Sequence, residues 1–260
     1  MIFGRKLKTI SAVLPALRGL KINRRLPGVE HGVFYTSSAD GVELFCTLLG
    51  RNPEKVVVVA HPAVVGGYHE QVLSLAEILS KSFSVVLFDF RGHGRSGGRC
   101  PVGFQRVSED LEAVIDRVRR MGFTRVGVAG FSMGAAASMI LASRKDCFDC
   151  LASIGCPPRI PDIPMLKSHR FLSRAAARLL GMRLEPTAYE GPSPVDIAGR
   201  LSGFPKLLVF GEWEVVPAEE ISGFVGSISE PKTLINVPGA WHADLMGREE
   251  VVREWFEANL

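Results

Sequence analysis

Four consecutive valines, Val56 to Val59, constrain the fold of this 260-residue chain more than any other stretch. The run that contains them, Lys55–Ala60, shows no alternation of polar and apolar residues, so the strand it predicts is buried on both faces, as in a parallel sheet. Similar apolar runs recur along the chain, mostly separated by helical patterns, at residues 84–89, 126–129, 151–155, 206–210 and 233–237. Strands that alternate with helices predict an α/β fold with a doubly wound, mostly parallel sheet.

This pattern divides the chain into a core and two other parts. Residues 31–156 and 204–260 carry the strands and begin with a predicted β-hairpin around the turn at residues 38–41. Residues 157–203 interrupt the pattern with several prolines, and we interpret them as a small helical cap insertion over the site. The helix predicted over residues 165–182 carries arginines between apolar residues, which pack on the core or contact an acyl chain or membrane.

Residues 1–30 form a basic N-terminal segment that contains apolar residues but lacks the clean apolar run and cleavage site of a signal peptide. Such a segment can lie on the domain, or it can make weak contact with an anionic membrane surface. The formal charge of +4 is mild and spread along the rest of the chain. Nucleic acid is therefore not expected as a partner.

The five cysteines are an odd number with irregular spacing, so the sequence predicts no complete disulfide framework. A reducing compartment fits this pattern best, and we expect a cytoplasmic protein. Cys147 and Cys150 form a Cys-x-x-Cys pair, but no second pair has zinc-finger spacing. We therefore interpret them as ordinary buried thiols, and we predict no metal site.

The pentapeptide from Gly130 to Gly134 matches the Gly-x-Ser-x-Gly elbow, with Ser132 at its centre. A predicted buried strand precedes it, and a helix of small residues is predicted over 135–143. In this setting a sharp turn lifts a serine hydroxyl clear of the backbone, which makes Ser132 the candidate nucleophile. Taken alone, the pentapeptide also fits a glycine-rich strand-to-helix connection in any α/β protein.

A serine nucleophile needs a base within hydrogen-bond reach and a third group that orients the base. His242 follows the last predicted strand, and Glu214 follows the strand before it. Ligands of open α/β sheets bind beyond the carboxyl ends of the strands, so these positions favour His242 as the base and Glu214 as the orienting acid. Without that context His242 would be assigned to a surface loop, and Asp162 is the alternative acid if Glu214 does not reach the histidine.

The chain resembles the α/β-hydrolase superfamily, in particular its short-capped lysophospholipase, monoglyceride-lipase and serine-aminopeptidase-like branch. Besides the elbow, the resemblance is carried by the His61-Pro62 pair, by Asp-x-Arg-Gly-x-Gly-x-Ser at residues 89–96 and by Gly-Ala-x-His-Ala at residues 239–243. It covers about residues 33–260 and includes the order serine, acid, histidine. It implies an oxyanion hole formed by the backbone N–H groups of Ala63 and Met133.

Two positions depart from the family's pattern. Pro62 stands where glycine is usual, which restricts the loop and removes one possible donor. Glu214 stands where aspartate is commoner, and the stretch that follows it is one residue shorter than in most relatives. A longer side chain on a shorter loop can still reach His242.

Four more residues near the predicted site have two interpretations each. His61 and His93 are expected to structure their loops and not to bind a metal, and His61 is also a candidate for contact with the substrate. Trp213 and Trp241 stand beside Glu214 and His242 in the sequence. They either pack on each other or form a wall of the substrate site.

Two structural expectations concern the segment between the second and third buried strands. Asp89 and Arg91 are expected to form an ion pair or turn contacts. Ser108 is predicted to cap a helix that has acidic residues in its first turn and ends at Gly122.

The sequence thus predicts a serine hydrolase that cleaves small or medium carboxylic esters through an acyl-enzyme and needs no cofactor. Its partner would be a small-molecule ester, while its oligomeric state is not indicated. The same residues would also serve a monoacylglycerol, thioester or amide hydrolase. From a different class, the chain could be a binding protein that kept the fold and lost the acid.

Overall fold

The computed structural model describes residues 31–63, 65–159, 182–185, 191–201 and 203–260. The strands of the described part are β1 (His31–Ser37), β2 (Glu43–Leu49), β3 (Lys55–Ala60), β4 (Ser84–Phe88), β5 (Arg125–Phe131), β6 (Cys150–Ile154), β7 (Lys206–Trp213) and β8 (Lys232–Trp241). The helices are α1 (Glu70–Leu79), α2 (Gln105–Arg120), α3 (Met133–Ala142), the short α4 (Pro194–Ile197), α5 (Ala218–Ser227) and α6 (Glu249–Asn259), with a 3₁₀ turn at Ala198–Arg200.

The strands form one sheet in the order β1-β2-β4-β3-β5-β6-β7-β8. β1 and β2 form the predicted antiparallel hairpin, and β2 is also antiparallel to β4. From β4 across to β8, every neighbouring pair is parallel. The predicted doubly wound, mostly parallel sheet is therefore confirmed.

The core lies on both faces of this sheet. Val57 and Val59 belong to an apolar cluster that includes residues of α1 and α6. Val56 and Val58 belong to a second cluster that includes residues of α2 and α3. All four valines are fully buried, because helices cover both faces of the central strand. This arrangement leaves the carboxyl ends of the parallel strands as the place where side chains can meet a ligand.

Arg91 holds three segments together through ion pairs that differ from the predicted one. Its buried guanidinium lies 2.7 Å from the Asp110 carboxylate and 2.6 Å from that of Asp40, and it donates to the Ser38 hydroxyl. Asp89 is not among its partners, so the expected Asp89–Arg91 ion pair is wrong. The alternative expectation of turn contacts agrees with the structure, because the Asp89 carboxylate accepts the N–H of Arg95 at 3.0 Å. A buried guanidinium needs several acceptors, and these come from the hairpin turn and from α2.

Helix α2 begins earlier than predicted. It starts at Gln105, so Ser108 lies inside the helix and does not cap it. The Ser108 hydroxyl donates to the Gln105 carbonyl within the first turns, a local alternative that serine side chains often adopt. The end of the helix is as predicted, because Met121 is its last capping residue and Gly122 follows with a φ of +102°.

The predicted cap lies largely outside the described residues, as do Asp162, the helix predicted over 165–182 and the N-terminal segment. The division into core, cap and N-terminal segment therefore stays a prediction. The described part of residues 157–203 includes α4, and its residues 182–185 lie against the loop that follows β4 through the bridges His93–Met182 and Cys100–Leu184. Among the helices that the structure describes, none has the length and apolarity needed to cross a membrane.

Candidate active site

Ser132 lies in the turn between β5 and α3 with a φ of 48° and a ψ of −106°. This backbone conformation is strained for a residue with a side chain, and such strain is typical of functional turns. Two hydrogen bonds fix the turn: the Ser132 N–H donates to the Ile154 carbonyl at 2.8 Å, and its carbonyl accepts from Ala136 at 3.0 Å. The predicted strand, turn and helix are all present.

The glycines on either side of the serine are required by close approach of the backbone. A Cβ atom at Gly130 would lie 2.6 Å from the Ala135 nitrogen. A Cβ atom at Gly134 would overlap the carbonyl oxygen of Ala60, at the end of the neighbouring strand β3. Either side chain would force the helix away from the sheet and would move the serine hydroxyl.

The structure brings Ser132, His242 and Glu214 into one hydrogen-bonded chain. Nε2 of His242 lies 2.8 Å from Oγ of Ser132. Nδ1 of the same ring makes a short hydrogen bond to Oε2 of Glu214. The side chain of the histidine is 18% exposed and that of the glutamate only 4%, so the acid is shielded from water while the base stays accessible.

Glu214 is the residue that directly follows β7, and its side chain reaches His242 from there. Its second carboxylate oxygen, Oε1, accepts the N–H of Gly211 at 2.9 Å, which fixes the direction of the side chain. A bulge in the pairing of β7 with β8 lies between Gly211 and Trp213, immediately before the acid. The side chain of Glu214 thus reaches Nδ1 of His242 while its other oxygen is held by the backbone.

His242 lies directly after β8 in a tight turn. The next residue, Ala243, has a φ of +56°, and its nitrogen would lie 2.7 Å from a Cβ atom at Gly155. The bare backbone of Gly155, just after β6, therefore lets the histidine turn approach the sheet. This close approach brings the imidazole to Ser132 in the turn after β5.

These contacts fix the tautomer of His242. A carboxylate only accepts hydrogen bonds, so Nδ1 of His242 carries a proton and donates it in the hydrogen bond to Glu214. Nε2 is then the free acceptor that faces the Ser132 hydroxyl. The arrangement can remove the proton of the serine during attack on an electrophilic carbon, and it can return a proton to a leaving group.

The two backbone N–H groups expected to bind an oxyanion lie at the ends of neighbouring elements. Ala63 follows β3, and Met133 is the first residue of α3. Within the described ranges neither N–H has a hydrogen-bond acceptor. Both are therefore available to a ligand, and the N-terminus of α3 adds its partial positive charge at Met133.

His61 does not face a substrate, so the structure contradicts the predicted substrate contact. The ring is fully buried, and both of its nitrogens bind the backbone. Nδ1 lies 2.7 Å from the Pro62 carbonyl, and Nε2 accepts the N–H of Phe90 at 2.9 Å. The other expectation, that His61 structures its loop, agrees with these contacts.

Trp213 and Trp241 are cross-strand partners at the carboxyl ends of β7 and β8. Their ring centroids are 6.3 Å apart, so they pack on each other as one interpretation expected. They also remain 48% and 37% exposed. Two partly exposed aromatic rings thus stand next to Glu214 and His242, and the role of substrate wall stays a prediction.

The Asp89 carboxylate joins its own turn to the loop that follows β3, a link that the sequence did not indicate. It is 1% exposed and accepts the N–H groups of Gly67 and Arg95, at 2.8 Å and 3.0 Å. A Cβ atom at Gly66 would lie 2.7 Å from its Oδ1, and one at Gly94 would overlap its Oδ2. Those glycines were the available signal, because they leave room for a buried carboxylate between two loops.

Two buried histidines near this loop give an expected pH dependence of stability. Burial lowers the pKa of His61 to about 4 and that of His93 to about 3, whereas an unfolded histidine titrates near 6.5. The unfolded state therefore binds more protons below pH 6.5, and stability falls with pH towards the folded pKa values. We expect the free energy of unfolding to fall by roughly 2 to 4 kcal/mol from pH 7 to pH 5, measured by urea titration with tryptophan fluorescence.

The lowered pKa values of His61 and His93 already include the effects of the charged and titratable groups around the two rings. His61 faces the ring of His93 at 4.8 Å and is influenced by His69, while His93 is also influenced by Asp89 and Arg183. The variant His93→Asn should lose about half of the pH dependence, because one ionisable ring is gone. An unfolding free energy that stays constant from pH 7 to pH 5 would contradict the prediction.

The described residues contain no group of three or more histidine, cysteine or acidic side chains placed to hold a metal ion. All five cysteines are free thiols, and Cys147 and Cys150 are not bonded to each other. Burial raises the pKa of these two thiols to about 12, which keeps them protonated and unreactive near neutral pH.

Comparison with known proteins places this chain in a family. A family model described as Hydrolase_4 (serine aminopeptidase, S33) matches residues 51–193, more than half of the chain. The human protein serine hydrolase BPHL is 27% identical over 149 residues, which are 54% of this chain and 50% of that protein. The chain thus matches only about half the length of this curated relative.

Solved structures share the fold across most of the chain. The Pyrococcus furiosus esterase Pf2001 has a TM-score of 0.71 at 20% identity, covering 88% of this chain and 93% of that one. Est1E from Butyrivibrio proteoclasticus, solved with ferulic acid bound, has a TM-score of 0.67 at 20% identity, covering 86% and 98%. At such identities the likeness shows the fold alone.

Proposed function

Since the chain belongs to the serine aminopeptidase S33 family of the α/β-hydrolase superfamily, we propose that it is a serine hydrolase that cleaves carboxylic esters of small or medium acyl groups. The observation that carries this proposal is the hydrogen-bonded chain Ser132–His242–Glu214 at the carboxyl ends of the parallel strands. The two unpaired N–H groups of Ala63 and Met133 support it, because they supply donors for an oxyanion.

In the first half of the proposed reaction, Oγ of Ser132 attacks the ester carbonyl carbon and its proton passes to Nε2 of His242. The new C–O bond moves the carbonyl π electrons onto oxygen, where the N–H groups of Ala63 and Met133 stabilise the negative charge. When this intermediate collapses, the bond to the leaving alkoxide breaks and Nε2 gives it the proton. The products of this half are the free alcohol and an acyl-enzyme on Ser132.

In the second half, water replaces the serine as nucleophile. His242 takes a proton from the water, whose oxygen attacks the acyl carbon, and the same N–H groups hold the second oxyanion. Collapse breaks the bond to Oγ of Ser132, which receives the proton from Nε2. The carboxylic acid leaves, and Glu214 holds the imidazolium in place during both halves.

The chemical class of the substrate is inferred from the surface next to the histidine. Trp213 and Trp241 expose aromatic rings beside the acid and the base, and such rings suit an apolar or aromatic acyl group. The structural neighbour Est1E binds ferulic acid, which is an aromatic acid of moderate size. We therefore place aromatic and short aliphatic acyl groups first among the candidate substrates.

A panel of p-nitrophenyl esters tests the proposal directly. We expect turnover of the acetate, butyrate and an aryl ester above background, with lower rates for palmitate. Labelling with a fluorophosphonate should modify Ser132 and abolish turnover, because the reagent captures an activated serine. No turnover together with no labelling would contradict the proposal and would favour a binding protein with this fold.

Two further panels separate the enzymatic alternatives that use the same residues. Amino-acid p-nitroanilides report amide hydrolysis, which the name of the family raises, and acyl-thioesters and monoacylglycerols report the other two. A preference of tenfold or more in kcat/KM for one class would reassign the substrate without changing the mechanism. The cytoplasmic location also remains a proposal, supported by the five free thiols.

A further inference from the structure

We propose that His61 is a positioning residue that aims the Ala63 N–H at the oxyanion, because its ring holds the carbonyl of the same peptide unit. This inference deepens the proposed function and rests on it. It gives a role in catalysis to a histidine that is fully buried and cannot touch the substrate.

The partners of His61 fix which nitrogen carries its proton. The Pro62 carbonyl, 2.7 Å from Nδ1, only accepts hydrogen bonds, so Nδ1 is the donor. The Phe90 N–H, 2.9 Å from Nε2, only donates, so Nε2 is the acceptor. The ring is therefore a neutral imidazole with both nitrogens used, and it links the segment after β3 to the segment after β4.

The peptide between Pro62 and Ala63 transmits the position of the ring to the oxyanion donor. The only cis peptide in the described ranges is Glu230–Pro231, so this unit is trans. In a trans peptide the C=O and N–H bonds point in opposite directions within one plane. When Nδ1 of His61 holds the carbonyl on the buried side, the N–H of Ala63 must point to the other side.

Three other features support this reading of the contact. The ring of Pro62 fixes its own φ, which leaves the peptide plane few other orientations. A hydrogen bond to a carbonyl also polarises the N–H of the same unit and makes it a better donor. The Asp89 carboxylate holds the N–H of Gly67, so the chain is anchored again four residues beyond Ala63.

A matched pair of substitutions separates the two hydrogen bonds of the ring. In His61→Asn the amide nitrogen takes the place of Nδ1 and can still donate to the Pro62 carbonyl, but nothing reaches Phe90. In His61→Gln the longer side chain places its amide oxygen near the position of Nε2, where it accepts from Phe90 and leaves the Pro62 carbonyl without a donor. The two variants keep opposite halves of the contact.

If His61 aims the oxyanion donor, the catalytic effects of the variants differ in a defined way. For p-nitrophenyl butyrate we expect His61→Gln to lower kcat by about 10- to 100-fold with KM changed less than about threefold, because a misdirected donor loses part of the 100- to 1,000-fold that a complete donor provides. His61→Asn should lower kcat by less than about fivefold. Equal losses of kcat in the two variants, or losses that follow their melting temperatures, would overturn the inference.

An inhibitor pair reads the oxyanion hole separately from substrate binding. A trifluoromethyl ketone forms a tetrahedral adduct with an oxyanion, whereas the matching secondary alcohol does not. His61→Gln should weaken binding of the ketone by about 10- to 100-fold and binding of the alcohol by less than about threefold, because only the ketone adduct uses the Ala63 N–H. Equal weakening of both inhibitors would assign His61 a purely structural role.

A measurement on the unmodified protein keeps the inference testable if a variant fails to fold. On formation of the ketone adduct, the NMR signals of the Ala63 amide proton and of the His61 Nδ1 proton should both move downfield, since the two hydrogen bonds polarise one another. Movement of the Ala63 signal without the His61 signal would overturn the inference. An unmodified protein that neither hydrolyses esters nor reacts with a fluorophosphonate would instead overturn the proposed function.

Discussion

Ser132→Ala is expected to lower kcat/KM for p-nitrophenyl butyrate by at least about a thousandfold, because the variant lacks the oxygen that forms the acyl-enzyme. His242 would still lie at the site and could activate water, and the oxyanion donors would remain. These parts alone leave only a small residual rate in enzymes of this type. The initial rates should be measured at enzyme concentrations high enough to detect this residual rate.

The matched control is Ser143→Ala at the other end of the same helix. Its hydroxyl donates to the Ile140 carbonyl at 2.8 Å and takes no part in the site, so its turnover should stay within about twofold of the original. Alanine at position 132 should also leave the circular dichroism spectrum and the melting temperature intact or slightly raise the latter, because the strained turn loses no contact in the core. Undiminished ester hydrolysis by Ser132→Ala would refute the nucleophile assignment.

The sheet was predictable because its signal is local. A strand buried on both faces must be apolar at every position, and the Val56–Val59 run satisfies this requirement within four residues. The order of serine, acid and histidine was predictable for the same reason, since each residue directly follows a recognisable strand. What brings them together is the common edge at which parallel strands end.

The partners of buried charges were not predictable from neighbouring residues. Arg91 binds Asp110 and Asp40, which lie 19 and 51 residues away in the chain, and not Asp89 two residues before it. Only the complete fold shows which acceptors reach a guanidinium with five donors. The same limit explains why Ser108 does not cap the helix, since the helix begins at Gln105, three residues before it.

The direction of a side chain was also beyond the sequence. The sequence left His61 as a candidate either for contact with the substrate or for structuring its loop, and in the structure its ring turns inward to the backbone. A histidine at this position fits either role, since an imidazole can hydrogen-bond to a ligand or to two peptide groups equally well. The structure distinguishes the roles through burial and through the two nitrogens' partners.

Glu214→Gln is expected to lower kcat by about a thousandfold or more with little change in KM, because an amide cannot replace the carboxylate next to an imidazolium. If the amide oxygen faces Nδ1, the charge that stabilises the imidazolium is lost. If the amide nitrogen faces Nδ1, it favours the tautomer with a proton on Nε2, which cannot accept the proton of Ser132. The kcat of Glu214→Asp should lie between that of the original enzyme and that of Glu214→Gln, because the shorter side chain keeps the charge but moves it away from the ring.

Glu212→Gln is the control for this substitution, since Glu212 lies two residues away at the end of the same strand. Its Oε2 accepts the N–H of Gly239 at 2.8 Å, and a glutamine oxygen can accept the same hydrogen bond. We therefore expect its kcat to stay within about threefold of the original. Full activity in Glu214→Gln, combined with loss of activity in Asp162→Asn, would transfer the role of the acid to Asp162; loss in Glu214→Gln alone would leave the carboxylate at position 214 as the group that makes His242 a base.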